Sequence, residues 1–352
     1  MRAAVLHRVG DGRLDLRDDV FPVEPGPMDV RVRVEAAGIC RSDLSAMTGA
    51  LPAQAPLVPG HEGAGVVTRV GSGVADRKPG DHVILTFVPP CGTCPVCLRG
   101  TPQLCETYAQ EPPRLRVGGQ PLRGYVGLGT FARELTVPAA AAIPVGDVPF
   151  DLAAVLSCGV VSGVGAVLNT ARVRPGESVL VIGCGGVGAA VLQGARIAGA
   201  GRVVAVDPSK DKRELAYGFG ATEALTPEQL AGREHELGVD HAFDVVGSPR
   251  TVRTAWDAVR RGGQAVVVGS GRTDALVTFN AYELFRHEKK LIGSLSGSAD
   301  VRYEFGRLLR LWRAGLLDLE AMVGARIPFA RINEGIEALR TGTAPVRQVV
   351  VW

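Results

Sequence analysis

The sequence predicts an α/β protein in which a β-rich region is joined to a doubly wound parallel sheet. Strand-like segments closely punctuated by Pro and Gly fill the first 150 or so residues. Strands then alternate with helices, and a glycine-rich turn joins one strand to the helix that follows it. With 352 residues, the chain is long enough for two domains, each with its own core.

In the β-rich region, apolar residues alternate with polar ones or form short runs that predict strands. The three strand segments are RVRVEAAGI, GAGVVTRV and DHVILTF. Residues 109–129 are rich in Pro, Gly and Arg, and we expect a surface loop there, near the entrance of a site.

From about Asp151 the pattern changes to alternating strands and helices, which favours a parallel sheet with right-handed crossovers. The predicted strands are ESVLVIG, RVVAVD, HAFDVVG, QAVVVG and KKLIGSL. The intervening helices are expected at 185–200, 210–219 and 251–260. Helices at 303–314 and 332–341 and a last strand, VRQVVVW, complete the chain.

Composition excludes several classes of function. The net charge of +3 is scattered, and no basic stripe indicates a nucleic acid partner. Glycines interrupt the apolar stretches around 152–168 and 178–192, so no membrane span is predicted. The N-terminus lacks the apolar run of a signal peptide. Seven cysteines without an export signal favour a cytoplasmic protein whose reduced thiols bind metal.

Four of the cysteines lie together in CGTCPVCLRGTPQLC. Four thiolates at this spacing, with Gly and Pro bending the backbone between them, suit one tetrahedral structural zinc. The alternative of two disulfides is disfavoured by the tight spacing and by the lack of any sign of export. The four residues are Cys91, Cys94, Cys97 and Cys105.

A dinucleotide site is predicted at Gly183, Gly185 and Gly188, which form G-x-G-x-x-G between a strand and a helix. The first glycine permits the tight turn, the second a close approach to a pyrophosphate, and the third close helix–strand packing. Asp207 ends the next strand, about 20 residues on, where a ribose-binding acid belongs. The alternative is a glycine-rich turn without a ligand.

Asp207 would bind the ribose hydroxyls and repel a 2′-phosphate, which favours NAD over NADP. Lys210, Lys212 and Arg213 follow closely. These cations either weaken that discrimination or form the solvated first turn of a helix.

A second metal site is indicated by Cys40 in GICRSD, His61 beside Glu62 in PGHEGAG, and Cys158 in LSCGVVSG. Each signal alone is weak, because a buried cysteine is usually a small core residue and a lone histidine is usually structural. Two thiolates and one imidazole together form a set that leaves the fourth zinc position for water or substrate.

These motifs, with GTFARELTVP and the terminal VRQVVV, make the chain resemble the zinc-dependent alcohol dehydrogenases of the medium-chain dehydrogenase/reductase family nearly end to end. The resemblance implies a GroES-like catalytic domain formed by 1–152 and 295–352, and a Rossmann domain at 153–294. It also implies NAD-linked oxidation of a primary or aromatic alcohol to the aldehyde, or the reverse reduction, by hydride transfer at nicotinamide C4. Two zinc ions per chain and a homodimer or homotetramer are expected.

The resemblance also assigns roles to residues. Cys40, His61 and Cys158 match the catalytic zinc ligands, with Glu62 behind the metal, Asp43 orienting the histidine, and Ser42 bonding the substrate oxygen. Ser42, Leu51 and Phe87 match pocket positions. Arg41 and Arg347 match residues that reach the cofactor phosphates, and Val187 and Ser162 match residues beside the nicotinamide. The remaining cofactor positions, besides the three glycines and Asp207, are Gly186, Lys212, Val246 and Gly269.

Two departures from the family pattern bear on function. Ser45 stands where animal members usually have a histidine, so the proton is expected to leave through Ser42, the nicotinamide ribose and water. Gly49 stands where glutathione-dependent formaldehyde dehydrogenases usually have a polar residue, which disfavours that activity. The alternatives are reduction of an activated C=C or C=N bond, oxidation of a secondary alcohol or polyol, and a binding protein without catalysis.

Overall fold

The computed structural model of the chain describes residues 1–107 and 112–352. The chain forms two compact units. The first unit comprises Met1–Cys158, Asp300–Leu309 and Leu319–Trp352, and the second comprises Gly159–Ala299 and Arg310–Asp318.

The predicted domain limits at 152 and 295 fall a few residues before these divisions. The prediction also missed that Arg310–Asp318 belongs to the second unit. The helix Val301–Arg313 contributes residues to both units. The spacing of its apolar residues predicts a buried face, but it carries no information about which core that face joins.

The main sheet of the first unit is centred on the strand Asp29–Ile39, whose Val30, Val32 and Val34 are fully buried. This sheet joins the two ends of the chain. The C-terminal strand Gln348–Val351 runs antiparallel to Asp29–Ile39, with Gln348 opposite Ile39. In spatial order the strands are Ala142–Pro144, His82–Leu85, Gly63–Val70, Asp29–Ile39, Gln348–Val351 and Ala325–Pro328, with Glu134–Pro138 also paired to Asp29–Ile39.

Two smaller sheets complete the first unit. One pairs Ala3–Val5 with Asp15–Arg17. The other has the order Val20–Pro22, Leu115–Val117, Gln120–Gly124 and Leu57–Val58. The helices of this unit, besides its part of Val301–Arg313, are Arg41–Thr48, Pro95–Leu98, Phe150–Val155 and Ile332–Thr341.

The surface loop predicted at 109–129 is wrong over most of its length. Residues 109–111 lie outside the described part of the chain, but Leu115–Val117 and Gln120–Gly124 form an antiparallel hairpin. Gly118 and Gly119 both have positive φ, 54° and 78°, as a two-residue hairpin turn requires. The prediction gave weight to Pro and Arg and overlooked this Gly-Gly signal between two short apolar runs.

The second unit contains a six-stranded sheet in which every pairing is parallel. Numbered along the chain, its strands lie in the order 3-2-1-4-5-6, that of a dinucleotide-binding Rossmann sheet. The predicted α/β class with a doubly wound sheet is therefore confirmed. Along the chain the strands are Ser178–Ile182, Arg202–Val206, Glu223–Leu225, Val239–Asp244, Val259–Val267 and Lys290–Gly293.

Helices of the second unit occupy the crossovers between these strands, and one further helix, Val161–Gly165, precedes the first strand. Lys210–Phe219 has the predicted bounds, and its N-cap Ser209 accepts a hydrogen bond from the Lys212 N–H. The other helices are Gly186–Ile197, Pro227–Leu230, Glu234–Leu237, Pro249–Ala258 and Ala281–His287.

The continuous helical stretch Phe150–Ala171 includes two π-helical segments, Leu156–Val160 and Ala166–Ala171. Within the described ranges it is the one helix whose length and mean hydropathy, 1.9, would suit a membrane crossing. The most apolar 18-residue window of this helix is 89% buried. A core helix of a globular protein meets the same criteria of length and hydropathy.

A half-buried carboxylate supports the sheet of the second unit and makes the stability of this sheet depend on pH. Asp240 accepts hydrogen bonds from the Ser178 N–H at 2.8 Å and the Ser178 Oγ at 2.7 Å, and from Arg260 Nε at 2.7 Å. Burial raises the pKa of Asp240, but these donors outweigh it and lower the pKa from 3.8 to about 2. The stabilisation is therefore present above pH 3.8 and is lost as the pH falls toward 2.

We expect Asp240→Asn to lower the free energy of unfolding near pH 7 by about 1–3 kcal/mol, because a charged acceptor is replaced by a neutral one. The difference from wild type should shrink as the pH falls below about 4. Chemical denaturation at both pH values measures this, and a difference that does not change with pH would contradict the assignment.

Candidate functional site

The first candidate site is built where the strand Asp29–Ile39 passes into the helix Arg41–Thr48. Cys40 is the N-cap of this helix, and the Asp43 carboxylate accepts a hydrogen bond from its N–H at 3.0 Å. Asp43 also accepts from the Gly60 N–H at 3.0 Å and contacts His61 Nδ1 at 2.9 Å. One buried carboxylate therefore fixes the helix start, the loop before His61, and the imidazole ring.

Gly60 has a backbone conformation that only glycine adopts easily, with φ at 94°. A side chain there would also collide with Thr130 and Phe131. The carbonyl of Gly60 accepts the N–H groups of Gly129 and Thr130, so the PGHE loop and the GTF segment are held together.

Four buried side chains converge beside this loop. The ligand atoms of Cys40, His61, Glu62 and Cys158 all lie within 4.8 Å of one another. His61 Nε2 and Glu62 Oε1 are buried and have no hydrogen-bond partner in the structure. An orphaned imidazole nitrogen beside two thiols is an unusual arrangement for a core, and it is the arrangement of a metal site.

The protonation of the cluster is strongly perturbed. Hydrogen bonding from Cys158 holds the pKa of Cys40 well below its usual range, against the effect of burial. Burial lowers the pKa of His61, but the charges of Asp43 and Cys40 raise it to about 10. A metal entering this set would therefore displace a proton from the imidazole.

Glu62 is fully buried and forms an ion pair with Arg347, which is also buried. Gly38 makes room for this carboxylate, because any Cβ at that position would collide with it. Arg347 was predicted to reach cofactor phosphates, and in this structure its Nη2 donates a hydrogen bond to the Glu62 carboxylate.

Aromatic rings surround the imidazole of His61. Phe87, predicted to line the pocket, meets it edge to face, with ring centroids 5.4 Å apart. Tyr125 makes a second edge-to-face contact at 5.8 Å. Sequence reasoning missed Tyr125, because its contact with His61 depends on bonds between the PGHE loop and the GTF segment and not on a local signal.

Other predicted residues lie around this cluster. The Ser42 Oγ is 3.9 Å from the Cys40 Sγ, and Ser42 keeps partial exposure. Leu51 is half-buried, and its N–H donates to the Ser45 carbonyl. Arg41 is exposed at the start of the helix.

The four-cysteine cluster forms a second set of ligands in the first unit. The atoms of Cys91, Cys94, Cys97 and Cys105 also lie within 4.8 Å of one another. None of the seven cysteines forms a disulfide. The N–H groups of Thr93 and Cys94 donate to the Cys91 sulfur and lower its pKa to about 5. A thiolate is thus favoured before any metal arrives.

We expect Cys94→Ser to reduce the zinc content from two ions per chain to one and to lower the Tm by at least about 5 °C, because a structural zinc contributes folding energy directly. Metal analysis and calorimetry measure both quantities. Cys184→Ala removes a buried cysteine that belongs to neither cluster, and it should retain two zinc ions. Unchanged zinc content in Cys94→Ser would contradict the assignment.

The glycine-rich loop of the second unit has the conformation that its sequence requires. Gly183 has φ at 95°, and a Cβ at Gly188 would collide with the Gly183 carbonyl oxygen. The helix Gly186–Ile197 begins directly after N-cap Gly185, so its free N–H groups open at the end of the strand Ser178–Ile182.

Asp207 lies beside this loop and is buried. Its carboxylate accepts the N–H of Cys184 at 2.8 Å and that of Ser209 at 2.9 Å. Arg213 Nη1 donates to the carbonyls of Asp207 and Pro208, whereas Lys212 contributes its backbone N–H to the Ser209 Oγ. Of the neighbouring cations, Arg213 is thus already engaged.

The remaining predicted cofactor residues divide between the units. Val246 is 48% exposed, and a Cβ at Gly183 would touch its side chain. Ser162 is buried, and Val187 is half-buried. Arg41 and Arg347 belong to the first unit, and the second unit contains Ser162, Gly183, Gly185, Gly186, Val187, Gly188, Asp207, Lys212, Val246 and Gly269.

Comparison with known proteins identifies the family. Residues 26–147 match the Alcohol dehydrogenase GroES-like domain, and residues 186–313 match the Zinc-binding dehydrogenase domain. Alcohol dehydrogenase B of Mycobacterium tuberculosis (strain ATCC 25618 / H37Rv) is 36% identical over 338 residues, covering 91% of this chain and 90% of the relative.

Solved structures agree with this match. Benzyl alcohol dehydrogenase from Acinetobacter calcoaceticus superposes with a TM-score of 0.92 at 27% identity, covering 99% of this chain and 98% of the other. A zinc-binding dehydrogenase from Sinorhizobium meliloti 1021, solved with NADP bound, has a TM-score of 0.80 at 28% identity and covers 100% and 99% of the two chains. The chain therefore belongs to the zinc-type alcohol dehydrogenases of the medium-chain dehydrogenase/reductase family.

Proposed function

We propose that this chain is a zinc-dependent, NAD-linked dehydrogenase that oxidises a primary or aromatic alcohol to the aldehyde, or catalyses the reverse reduction. The observation that carries the proposal is the donor set Cys40, His61 and Cys158. Its imidazole is held at Nδ1 by Asp43 while Nε2 lacks a partner. A set of three such donors leaves one position for a substrate oxygen.

The donor chemistry of both clusters fits zinc. Two thiols and an imidazole, with Glu62 behind them, would hold the catalytic ion, and four thiols would hold the structural one. When bound at the first site, zinc would supply Lewis acidity to an alcohol oxygen. Asp43 keeps the imidazole oriented for that role, since its two oxygens are fixed by three N–H groups.

Ser42 is the proposed group for moving the proton. Its hydroxyl lies 3.9 Å from the Cys40 sulfur, at the cluster, and its side chain keeps partial exposure. A hydroxyl can accept one proton while donating another, so the Ser42 Oγ is suited to pass the alcohol proton outward. Ser45 is also half-buried and cannot act as a base near neutral pH. The relay is therefore expected to end at cofactor hydroxyls or water.

The NAD assignment rests on Asp207. Each of its carboxylate oxygens accepts one backbone N–H, which leaves lone pairs for the two ribose hydroxyls. A 2′-phosphate would meet a buried negative charge at the same place. NAD would supply the hydride acceptor, while the glycine loop and the helix Gly186–Ile197 would bind its pyrophosphate.

The proposed substrate class rests on the apolar ring of Phe87 against His61 and on Leu51. An apolar wall beside the metal donors favours alkyl or aromatic alcohols over polyols. Tyr125 adds one hydroxyl group to this wall.

We also propose a cytoplasmic homodimer or homotetramer. The edge strand Lys290–Gly293 and the preceding segment expose large apolar side chains, with Leu276 at 86% and Phe285 at 77% exposure. Exposed apolar side chains next to a free strand edge suit association with a second copy. Light scattering coupled to gel filtration tests this, and a monomer at micromolar concentration would contradict it.

The function is tested with purified, zinc-loaded protein, NAD or NADP, and a panel of aliphatic and aromatic alcohols, followed by the absorbance of the reduced nicotinamide. We expect turnover with NAD and much weaker turnover with NADP. Reduction of enals or imines without any alcohol oxidation would instead support the C=C or C=N reductase alternative.

A further inference from the structure

Tyr125 is a second aromatic wall of the metal cluster, and it differs from Phe87 by carrying a hydroxyl. It is 8% exposed, and its ring meets the His61 imidazole at an interplanar angle of 80°. Its position is fixed by the backbone, because the Leu128 N–H donates to the Tyr125 carbonyl and the next turn is bonded to Gly60.

The backbone beside Tyr125 is strained. Val126 has φ at 46° and ψ at 39°, a left-handed conformation that is a genuine outlier for a β-branched residue. Gly127 and Gly129, with φ at 77° and 82°, continue the turn. Strain of this kind persists where the surroundings fix it, and it concentrates at functional sites. Here the strained residue directly follows the aromatic side chain that contacts His61.

The hydroxyl of Tyr125 has no hydrogen-bond partner within residues 1–107 and 112–352. The nearby Asp43 carboxylate is already taken by the N–H groups of Cys40 and Gly60 and by His61. The Tyr125 oxygen is also not among the fully buried atoms that lack a partner, so it keeps some accessible surface. A phenol is protonated at neutral pH, and it therefore presents an unused donor.

We propose that Tyr125 is a specificity-determining residue whose hydroxyl donates a hydrogen bond to a second oxygen on the substrate. It would select alcohols and aldehydes with an ether, hydroxyl or carbonyl oxygen close to the reacting carbon over hydrocarbon analogues. This inference rests on the proposed dehydrogenase function and refines its substrate class. A pocket built to hydrogen-bond a substrate discriminates strongly against the analogue that lacks the polar group.

The test compares two alcohols of nearly equal shape, 2-methoxyethanol and butan-1-ol, in which an oxygen replaces a methylene. Wild-type kcat/KM should favour 2-methoxyethanol, and in Tyr125→Phe the ratio of the two values should fall at least about fivefold, because one hydrogen bond is lost. Phe87→Leu is the matched control. This substitution removes the other aromatic ring that contacts His61, and it should lower kcat/KM for both alcohols without changing the ratio. An unchanged ratio of the two kcat/KM values in Tyr125→Phe would overturn the proposal, even if both values fall.

A binding measurement separates this proposal from the proposed function. Methoxyacetamide and butanamide are matched aldehyde analogues, and their Kd values for the zinc-loaded enzyme with NADH can be measured by calorimetry without turnover. The preference for methoxyacetamide should disappear in Tyr125→Phe. If wild type oxidises no alcohol of the wider panel, the dehydrogenase function fails, and the amide preference alone then decides the role of Tyr125. Equal Kd values for the two amides in wild type would overturn it.

Discussion

Replacing His61 with alanine is expected to reduce kcat/KM for alcohol oxidation at least about 10³-fold, since Lewis-acid stabilisation of several kcal/mol is lost and each 1.36 kcal/mol is tenfold in rate. The reason lies in the arrangement of the ligands. His61 is held at Nδ1 by Asp43 and presents a buried, partnerless Nε2 to Cys40 and Cys158. Steady-state kinetics and metal analysis of the same preparations measure the effect.

The comparison needs a histidine that lies outside the cluster. His235 is exposed on the helix Glu234–Leu237, so His235→Ala should keep wild-type kinetics and zinc content. If His61→Ala kept two zinc ions and more than a tenth of the activity, the donor set would not be the catalytic one. Circular dichroism distinguishes lost chemistry from lost folding.

Replacing Asp207 with asparagine is expected to change the preference for NAD over NADP by about 10²-fold. The neutral amide weakens the bonds to the ribose hydroxyls, because hydrogen bonds to charged groups contribute about 1.5–3 kcal/mol. It also removes the repulsion of a 2′-phosphate. The ratio of kcat/KM for the two cofactors measures the change, and quenching of protein fluorescence gives the Kd values for NADH and NADPH.

Asp211→Asn is the matched control, because Asp211 lies in the first turn of the helix Lys210–Phe219 and is exposed. It removes the same charge close to Asp207 but should leave the cofactor ratio within about twofold, as expected for a screened surface charge. A similar change of ratio in both variants would mean that net charge, and not contact with the ribose, sets the preference.

Features encoded by short segments could be predicted from the sequence. The glycine loop, the helix after it and the position of Asp207 follow from local signals, because a strand, a tight turn and a helix N-terminus are specified within about 25 residues. The two ligand clusters could likewise be proposed from residue type and spacing. Their roles as zinc sites stay predictions until metal analysis is done.

Other features depend on contacts between distant residues. Glu62 and Arg347 are 285 residues apart, and neither residue carries a local signal that it pairs with the other. The strained Val126 and the placement of Tyr125 against His61 depend on bonds between two loops, which single-sequence reasoning does not reach. The division of the helix Val301–Arg313 between two cores is equally non-local.

The pairing of Gln348–Val351 with Asp29–Ile39 has a consequence for how the protein is made. On the ribosome the partner of Ala36–Ile39 emerges roughly 300 residues later, which at about 5–20 residues per second corresponds to roughly 15–60 s. Throughout that interval one edge of the strand leading to Cys40 is bare and able to pair with another nascent chain. The sheet that supports Cys40 is therefore completed late in biosynthesis, and we expect slow translation of the last segment to lower the yield of metal-loaded protein more than slow translation of the second unit.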